Sequence, residues 1–100
     1  METYFEKYFD ILSEKINEID KKQLIKFADL ICTINKKNKK NIIVGNGGSA
    51  SIASHVSVDF VKAAKIRSIN FNEANFLTCF SNDYGYENWV EEALKTYADK

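Results

Sequence analysis

Asn41-Ile42-Ile43-Val44-Gly45-Asn46-Gly47-Gly48-Ser49 decides the reading of this 100-residue chain. Ile42, Ile43 and Val44 are β-branched and do not alternate with polar residues. That pattern predicts a strand covered on both faces in a parallel sheet rather than half of an exposed hairpin. Three of the four glycines fall at 45, 47 and 48. Glycines there allow positive φ and close backbone approach, and the residues that follow, Ala50 to Asp59, read as a helix whose first N–H groups face the turn. Strand, glycine turn and helix N-terminus in that order offer donors to the oxygens of an anionic or hydroxylated ligand.

A second short strand, Ser68-Ile69-Asn70-Phe71, is reached through the helix running from about Ser49 to Ala64, so the segment predicts a βαβ unit with a right-handed crossover. Upstream, Phe5, Tyr8, Phe9, Leu12, Ile16 and Ile19 recur at helical spacing. Asp20 with Gln23 three residues later forms a capping-box-like start for a second helix, carried by Leu24, Phe27, Ala28, Leu30, Ile31 and Ile34 and ending near Lys37. Downstream, 74–80 predicts a short helix, 81–85 a turn, and 86–98 a last amphipathic helix through Trp89, Val90, Ala93, Leu94 and Tyr97. The expected class is α/β: the N-terminal portion of a parallel sheet flanked by helices (41–100), preceded by a helical pair (1–38), in one partial domain. Two short strands among so many helices leave sheet edges unpaired, so the chain reads as the first half of a larger sheet domain. The aromatic face of the first helix reads as core or subunit interface, with packing against another subunit expected.

Fourteen basic and fourteen acidic side chains cancel, which removes any overall field for nucleic acid or an anionic membrane. The cluster Lys36, Lys37, Lys39 and Lys40 is expected to be solvated at a helix end. Cys32 and Cys79 lie among apolar residues, too far apart in sequence for a short metal-binding pattern, and are expected to be buried free thiols in a reducing compartment. The N-terminus carries acidic residues and no apolar run suited to a signal peptide or membrane span, giving a cytoplasmic expectation.

Asn46 carries an amide that both donates and accepts, and Ser49 is placed either to cap the helix or to bond an anion. The bland alternative is a tight turn with Ser49 only capping. A dinucleotide site fits less well, because the third glycine of that fingerprint is missing, and no P-loop lysine follows. His55, the only histidine, and Asp59 stand four residues apart on one helix face. Such a pair binds a divalent metal, shuttles a proton, or makes an ordinary surface hydrogen bond. Asn82-Asp83 before Tyr84-Gly85-Tyr86 is either turn chemistry or a second cluster of ligand contacts. Glu73 reads as a solvated loop carboxylate.

Taken together, Gly45-Asn46-Gly47-Gly48-Ser49, then His55 with an acidic residue four on, then Asn82-Asp83-Tyr84-Gly85-Tyr86 resemble the sugar isomerase (SIS) domain of the phosphoheptose isomerase family, over essentially the whole chain. The resemblance implies a five-stranded parallel sheet in a cytoplasmic homotetramer. The implied reaction converts sedoheptulose 7-phosphate to a heptose 7-phosphate through an enediol, supplying heptose for lipopolysaccharide or capsule. The positions matching Asn46, Gly47, Gly48, Asn82 and Asp83 contact substrate in that family, and the histidine matching His55 is a zinc ligand in members that bind one zinc ion per subunit.

Asp59 departs from the pattern, since the family normally has a glutamate there as catalytic base and metal ligand. One methylene fewer draws the carboxylate back by about an ångström, a displacement able to cost about 100-fold when geometry is strict. The family's serine-rich phosphate loop, and the glutamine and histidine that complete its site, match nothing within these residues. The 100 residues alone are therefore expected to be inactive and to bind sugar phosphate weakly. The rival expectation is a non-catalytic SIS module that binds a phosphosugar or acts as an oligomeric adaptor for a protein partner.

Overall fold

A computed structural model describes residues 1–99. The elements run α1 (Glu2–Asn17), α2 (Lys21–Lys36), β1 (Asn41–Ile43), α3 (Gly48–Lys62), β2 (Ser68–Asn70), α4 (Ala74–Tyr84) and α5 (Trp89–Tyr97). The chain divides into two compact units, Met1–Leu30 and Ile31–Lys100.

In the first unit the helical periodicity holds, yet α1 has no buried residue and Tyr4, Phe5, Tyr8, Phe9, Leu12 and Ile16 are exposed. Asp20 starts α2 as its spacing predicts: its carboxylate accepts the Lys22 backbone N–H at 2.9 Å, satisfying one of the amides a helix start leaves open.

The second unit is the α/β part. β1 and β2 pair in parallel, with Asn41 opposite Ser68, Ile42 opposite Ile69 and Ile43 opposite Asn70. The connection is α3, as the βαβ reading requires. Burial differs from expectation: Ile42, Ile43 and Val44 are only partly buried. A strand with a single neighbour is covered on one edge, and its apolar run has more surface than these residues conceal. The core is aromatic. Phe71, Trp89 and Ala93 are buried, with Ile42, Val44, Ile69, Phe76, Leu77, Phe80 and Val90 packed on them. Phe76 stacks on Phe80 at 4.3 Å between centroids and on Phe71 at 5.5 Å, the offset arrangement aromatic quadrupoles favour.

Three local readings are corrected. α4 does not stop at Phe80 but continues through Asn82 and Asp83 to Tyr84, and Gly85 ends it at φ 88°, a conformation glycine adopts at little cost. Phe76, Leu77 and Phe80 keep helical spacing against the core, so packing overrides the turn-forming tendency of Ser81-Asn82-Asp83. α5 accordingly starts at Trp89 rather than Tyr86. Cys32 and Cys79 are exposed rather than buried. In the lysine cluster, Lys40 is not solvated: its ammonium pairs with Asp99 at 2.6 Å and its side chain is largely covered.

Candidate functional site

The glycine turn leaves β1 at Val44 and enters α3 at Gly48, and each of its glycines has a different reason to be there. A Cβ on Gly45 would lie 2.3 Å from the Ser49 carbonyl oxygen, so the helix start can pass this close only over a bare backbone. Gly47 sits at φ 56°, in the left-handed region, with open space around it. Gly48 has neither restriction. A Cβ there would meet nothing within 4 Å, and its φ lies outside the left-handed range.

Ser49 closes this turn on itself. Its hydroxyl donates to the Asn46 carbonyl at 2.6 Å and accepts the Asn46 N–H at 2.8 Å. The residue at the N-cap is Gly47, which has no side chain to cap with. Of the two roles the sequence left open for Ser49, the hydroxyl performs a local one: it braces the loop rather than pointing at a ligand.

A second support was not foreseen from the sequence. The side-chain amide of Asn72, just past β2, accepts the Gly45 N–H at 2.9 Å and donates to the Gly45 carbonyl at 2.7 Å. It thus takes the place of a peptide in a neighbouring strand and extends the β1–β2 ladder by one step after β2 has ended. Asn70 continues the arrangement, donating to the Ile43 carbonyl at 2.6 Å and to Asn72 Oδ1 at 3.2 Å, while its own Oδ1 accepts from the Asn72 N–H and from Ser54 on α3. The signal available was Asn70-Phe71-Asn72: two amides two residues apart share one face of an extended chain, and Phe71 between them faces the core.

The far end of the motif set also arrives at this turn. Tyr86, in the loop after Gly85, donates its hydroxyl to Asn46 Oδ1 at 2.8 Å across 40 positions of sequence. Asn82 and Asp83 lie one turn before, on the exposed end of α4. There the Asn82 amide donates to Asp83 Oδ1 at 3.0 Å, and the Cys79 thiol approaches Asp83 Oδ2 at 3.7 Å. The structure thus links the Asn82–Tyr86 segment to the glycine turn through Tyr86 while Asn82 and Asp83 contact each other.

Around Asn46 the backbone N–H, backbone carbonyl and Oδ1 are all engaged. Its Nδ2 and the N–H groups of Gly47 and Gly48 face no protein acceptor among the described residues. The exposed surface of the turn is therefore a patch of donors at the positive end of α3, suited to an oxyanion.

His55 and Asp59 do share a face of α3. Nε2 and Oδ2 are 3.5 Å apart, with side chains 79% and 58% exposed, longer than a usual hydrogen bond. Asp59 also borders an apolar depression lined by Val56, Phe60, Ala63 and Ala64. Zinc normally takes three or four protein donors. Among the described residues no group of three or more His, Cys, Asp or Glu is gathered for a metal ion. His55 and Asp59 together supply two donors, which do not by themselves fit a zinc centre.

Glu73, read from sequence as a solvated carboxylate, is the N-cap of α4. It accepts the Phe76 N–H at 3.0 Å and the Asn75 amide at 3.0 Å, and these bonds, the Phe76 one foremost, hold its carboxyl below the usual glutamate range. No helix among the described residues is long and apolar enough to cross a membrane.

A parallel α/β unit that turns from strand to helix on glycines is a βαβ unit of the kind whose ligands meet the carboxyl ends of the strands. Relatives sharpen this. The chain is 30% identical over 98 residues to a phosphoheptose isomerase of Fusobacterium nucleatum, an alignment covering 92% of this chain and 50% of that protein. It is 36% identical to phosphoheptose isomerase 2 of Campylobacter jejuni, covering 68% and 42%, and 28% identical to a phosphoheptose isomerase of Syntrophotalea carbinolica, covering 99% and 53%. The chain belongs to the phosphoheptose isomerase family, and it spans about half the length of the curated relatives it matches. No family model matches it, and no solved structure does.

Proposed function

We propose that this chain is the N-terminal half of an SIS domain and forms part of a phosphosugar aldose–ketose isomerase acting on sedoheptulose 7-phosphate. The observation that carries the reading is the donor patch of Asn46 Nδ2 and the Gly47 and Gly48 amides, built in a chain of this family. In the proposed reaction a base removes a proton from C1 of the ketose and returns it to C2, while the O1 proton passes to O2. The atoms balance with no external oxidant. Donors aimed at the sugar oxygens stabilise the enediolate as charge builds, the kind of contribution that dominates many such reactions.

Asp59 is the carboxylate assigned as base, with His55 beside it to hold or pass a proton. His55 and Asp59 are the proposed zinc ligands of this chain, two of the three or four that a zinc centre takes. Asn46, Gly47, Gly48, Ser49, Asn82 and Asp83 are the proposed substrate-binding set, with Ser49 acting through the loop it braces. The exposed aromatic face of α1 is the proposed self-association surface of a homotetramer, and the cytoplasm the proposed location.

The second reading, a phosphosugar-binding or adaptor module without turnover, is favoured by one feature: Asp59 is shorter than the family's glutamate and its side chain is mostly exposed. Assay of the intact protein with sedoheptulose 7-phosphate, with and without zinc, separates the two. Turnover that Asp59→Asn abolishes supports the isomerase, while tight binding with no turnover in any condition overturns it in favour of the module. Native mass spectrometry reads subunit mass and assembly together, and an intact tetramer is the expected result.

A further inference from the structure

We infer that Tyr86 is a positioning residue that holds the Asn46 side chain at the glycine turn, so that its amide is already in place when the ligand arrives. The inference rests on the sugar-phosphate reading above. An asparagine side chain on an exposed loop is free to sample several rotamers. The Tyr86 hydroxyl donates to Asn46 Oδ1 at 2.8 Å. With Ser49 already holding both backbone groups of Asn46, this contact ties the side chain to the fold as well. That leaves Nδ2, with its two N–H donors, for a ligand.

The consequence is preorganisation. A phosphate or enediolate oxygen meets an amide whose side-chain freedom is already spent. Losing the Tyr86 hydroxyl frees that side chain, so the cost of ordering it falls on ligand binding. The hydroxyl is 40 residues from the turn it sets, in a loop fixed by Gly85 at φ 88° and by the α4 aromatic stack.

The test is a double-mutant cycle on binding of sedoheptulose 7-phosphate by the intact protein, using Tyr86→Phe and Asn46→Ala. Tyr86→Phe is expected to weaken binding by about tenfold, the loss of one orienting hydrogen bond. The same change in the Asn46→Ala background is expected to alter binding by less than about twofold, because the residue through which it acts is gone. Equal losses in both backgrounds would show a merely structural role and overturn the proposal, as would an unchanged affinity in Tyr86→Phe. The side-chain amide protons of Asn46, followed by NMR in the ligand-free protein, give a readout independent of binding: their two shifts are expected to move on Tyr86→Phe, and static shifts overturn the contact itself. If those shifts move while neither protein binds the sugar phosphate, the sugar-phosphate reading falls, and with it the assignment of Tyr86 to ligand binding.

Discussion

The glycine turn and the His55–Asp59 face lie on successive parts of one helix, yet they are built in opposite ways. At the turn, side chains from three other places converge: Asn72 holds Gly45, Tyr86 holds Asn46, and Ser49 braces the loop from within α3. About two to three turns on, His55 and Asp59 approach each other at 3.5 Å and are mostly exposed. The first site is fixed by long-range contacts, so its geometry is a property of the fold. The second is fixed only by helical periodicity, and its chemistry depends on what covers that face. A turn can thus be fixed by the fold while the proposed base further along the same helix is held by that helix alone.

The strongest way to break this contrast is at Gly45. Gly45→Ala places a Cβ 2.3 Å from backbone that cannot swing aside, so it is expected to cost about 3 kcal/mol or more, beyond the usual overpacking range. Gly48→Ala is the control two residues past the loop's centre. With open space and an ordinary φ, it is expected to leave stability unchanged or raise it by up to about 1 kcal/mol, while weakening sugar-phosphate binding by adding a methyl to the donor patch. Urea denaturation of both variants checks this, and similar losses in both would mean that crowding does not distinguish these glycines.

Next in size is Asn72. Asn72→Asp keeps shape and the acceptor for the Gly45 N–H but loses the donor to the Gly45 carbonyl. An oxygen then faces an oxygen in a partly buried place, for an expected loss of about 2 kcal/mol. A variant as stable as the wild type would show that the side chain does not extend the ladder.

The same contrast explains what was legible in the residues. The βαβ order, the helical stripe of α1 and the pairing of His55 with Asp59 follow from periods of two and 3.6, which sequence displays directly. The Asn72 clamp and the Tyr86 contact depend on where β2 ends and where α4 stops, and the boundary of α4 was misplaced by four residues because Asn82-Asp83 has turn chemistry that packing of Phe76 and Phe80 overrules. Burial was misjudged for Cys79 for the same reason: apolar neighbours in sequence do not say which face of a helix a residue occupies. Ser49 shows the limit in miniature, since a cap and a loop brace use the same residue at the same place.

Smaller still on stability is the exposed pair. His55→Ala and Asp59→Asn are each expected to change unfolding free energy by less than about 0.5 kcal/mol, as exposed substitutions do, although Asp59→Asn removes the proposed base. Asp59→Glu, which restores the family's reach, is expected to raise turnover without altering stability. A stability loss near 2 kcal/mol in either deletion would mean that this face is covered after all, and the comparison would close.

The smallest effect is a pH dependence, and its sign is fixed by Glu73. Hydrogen bonds from the Phe76 and Asn75 backbone hold its carboxyl below the ordinary value of 4.5. A group depressed on folding contributes stability that is present above its unfolded pKa and lost as pH falls through the folded one. Glu73→Gln should therefore flatten part of the acid limb below about pH 4.5 by lowering stability slightly at neutral pH, because a neutral glutamine oxygen accepts the Phe76 N–H less strongly than a carboxylate does. Asp99, lowered by its bond to Lys40, contributes an acid-side loss of the same sign, so Asp99→Asn should flatten a separate part. Lys95, raised by Glu92, acts on the alkaline side, where its contribution disappears as pH rises through the folded pKa. Glu73 follows Asn72 directly and caps the helix that leads to Tyr86, so its protonation is expected to reach both supports of the glycine turn. Thermal melts against pH should show the Glu73→Gln change accompanied by a shift of the Asn46 amide signals in the wild type over the same acid range, whereas Asp99→Asn leaves those signals in place; identical behaviour of the two variants would sever α4 from the turn.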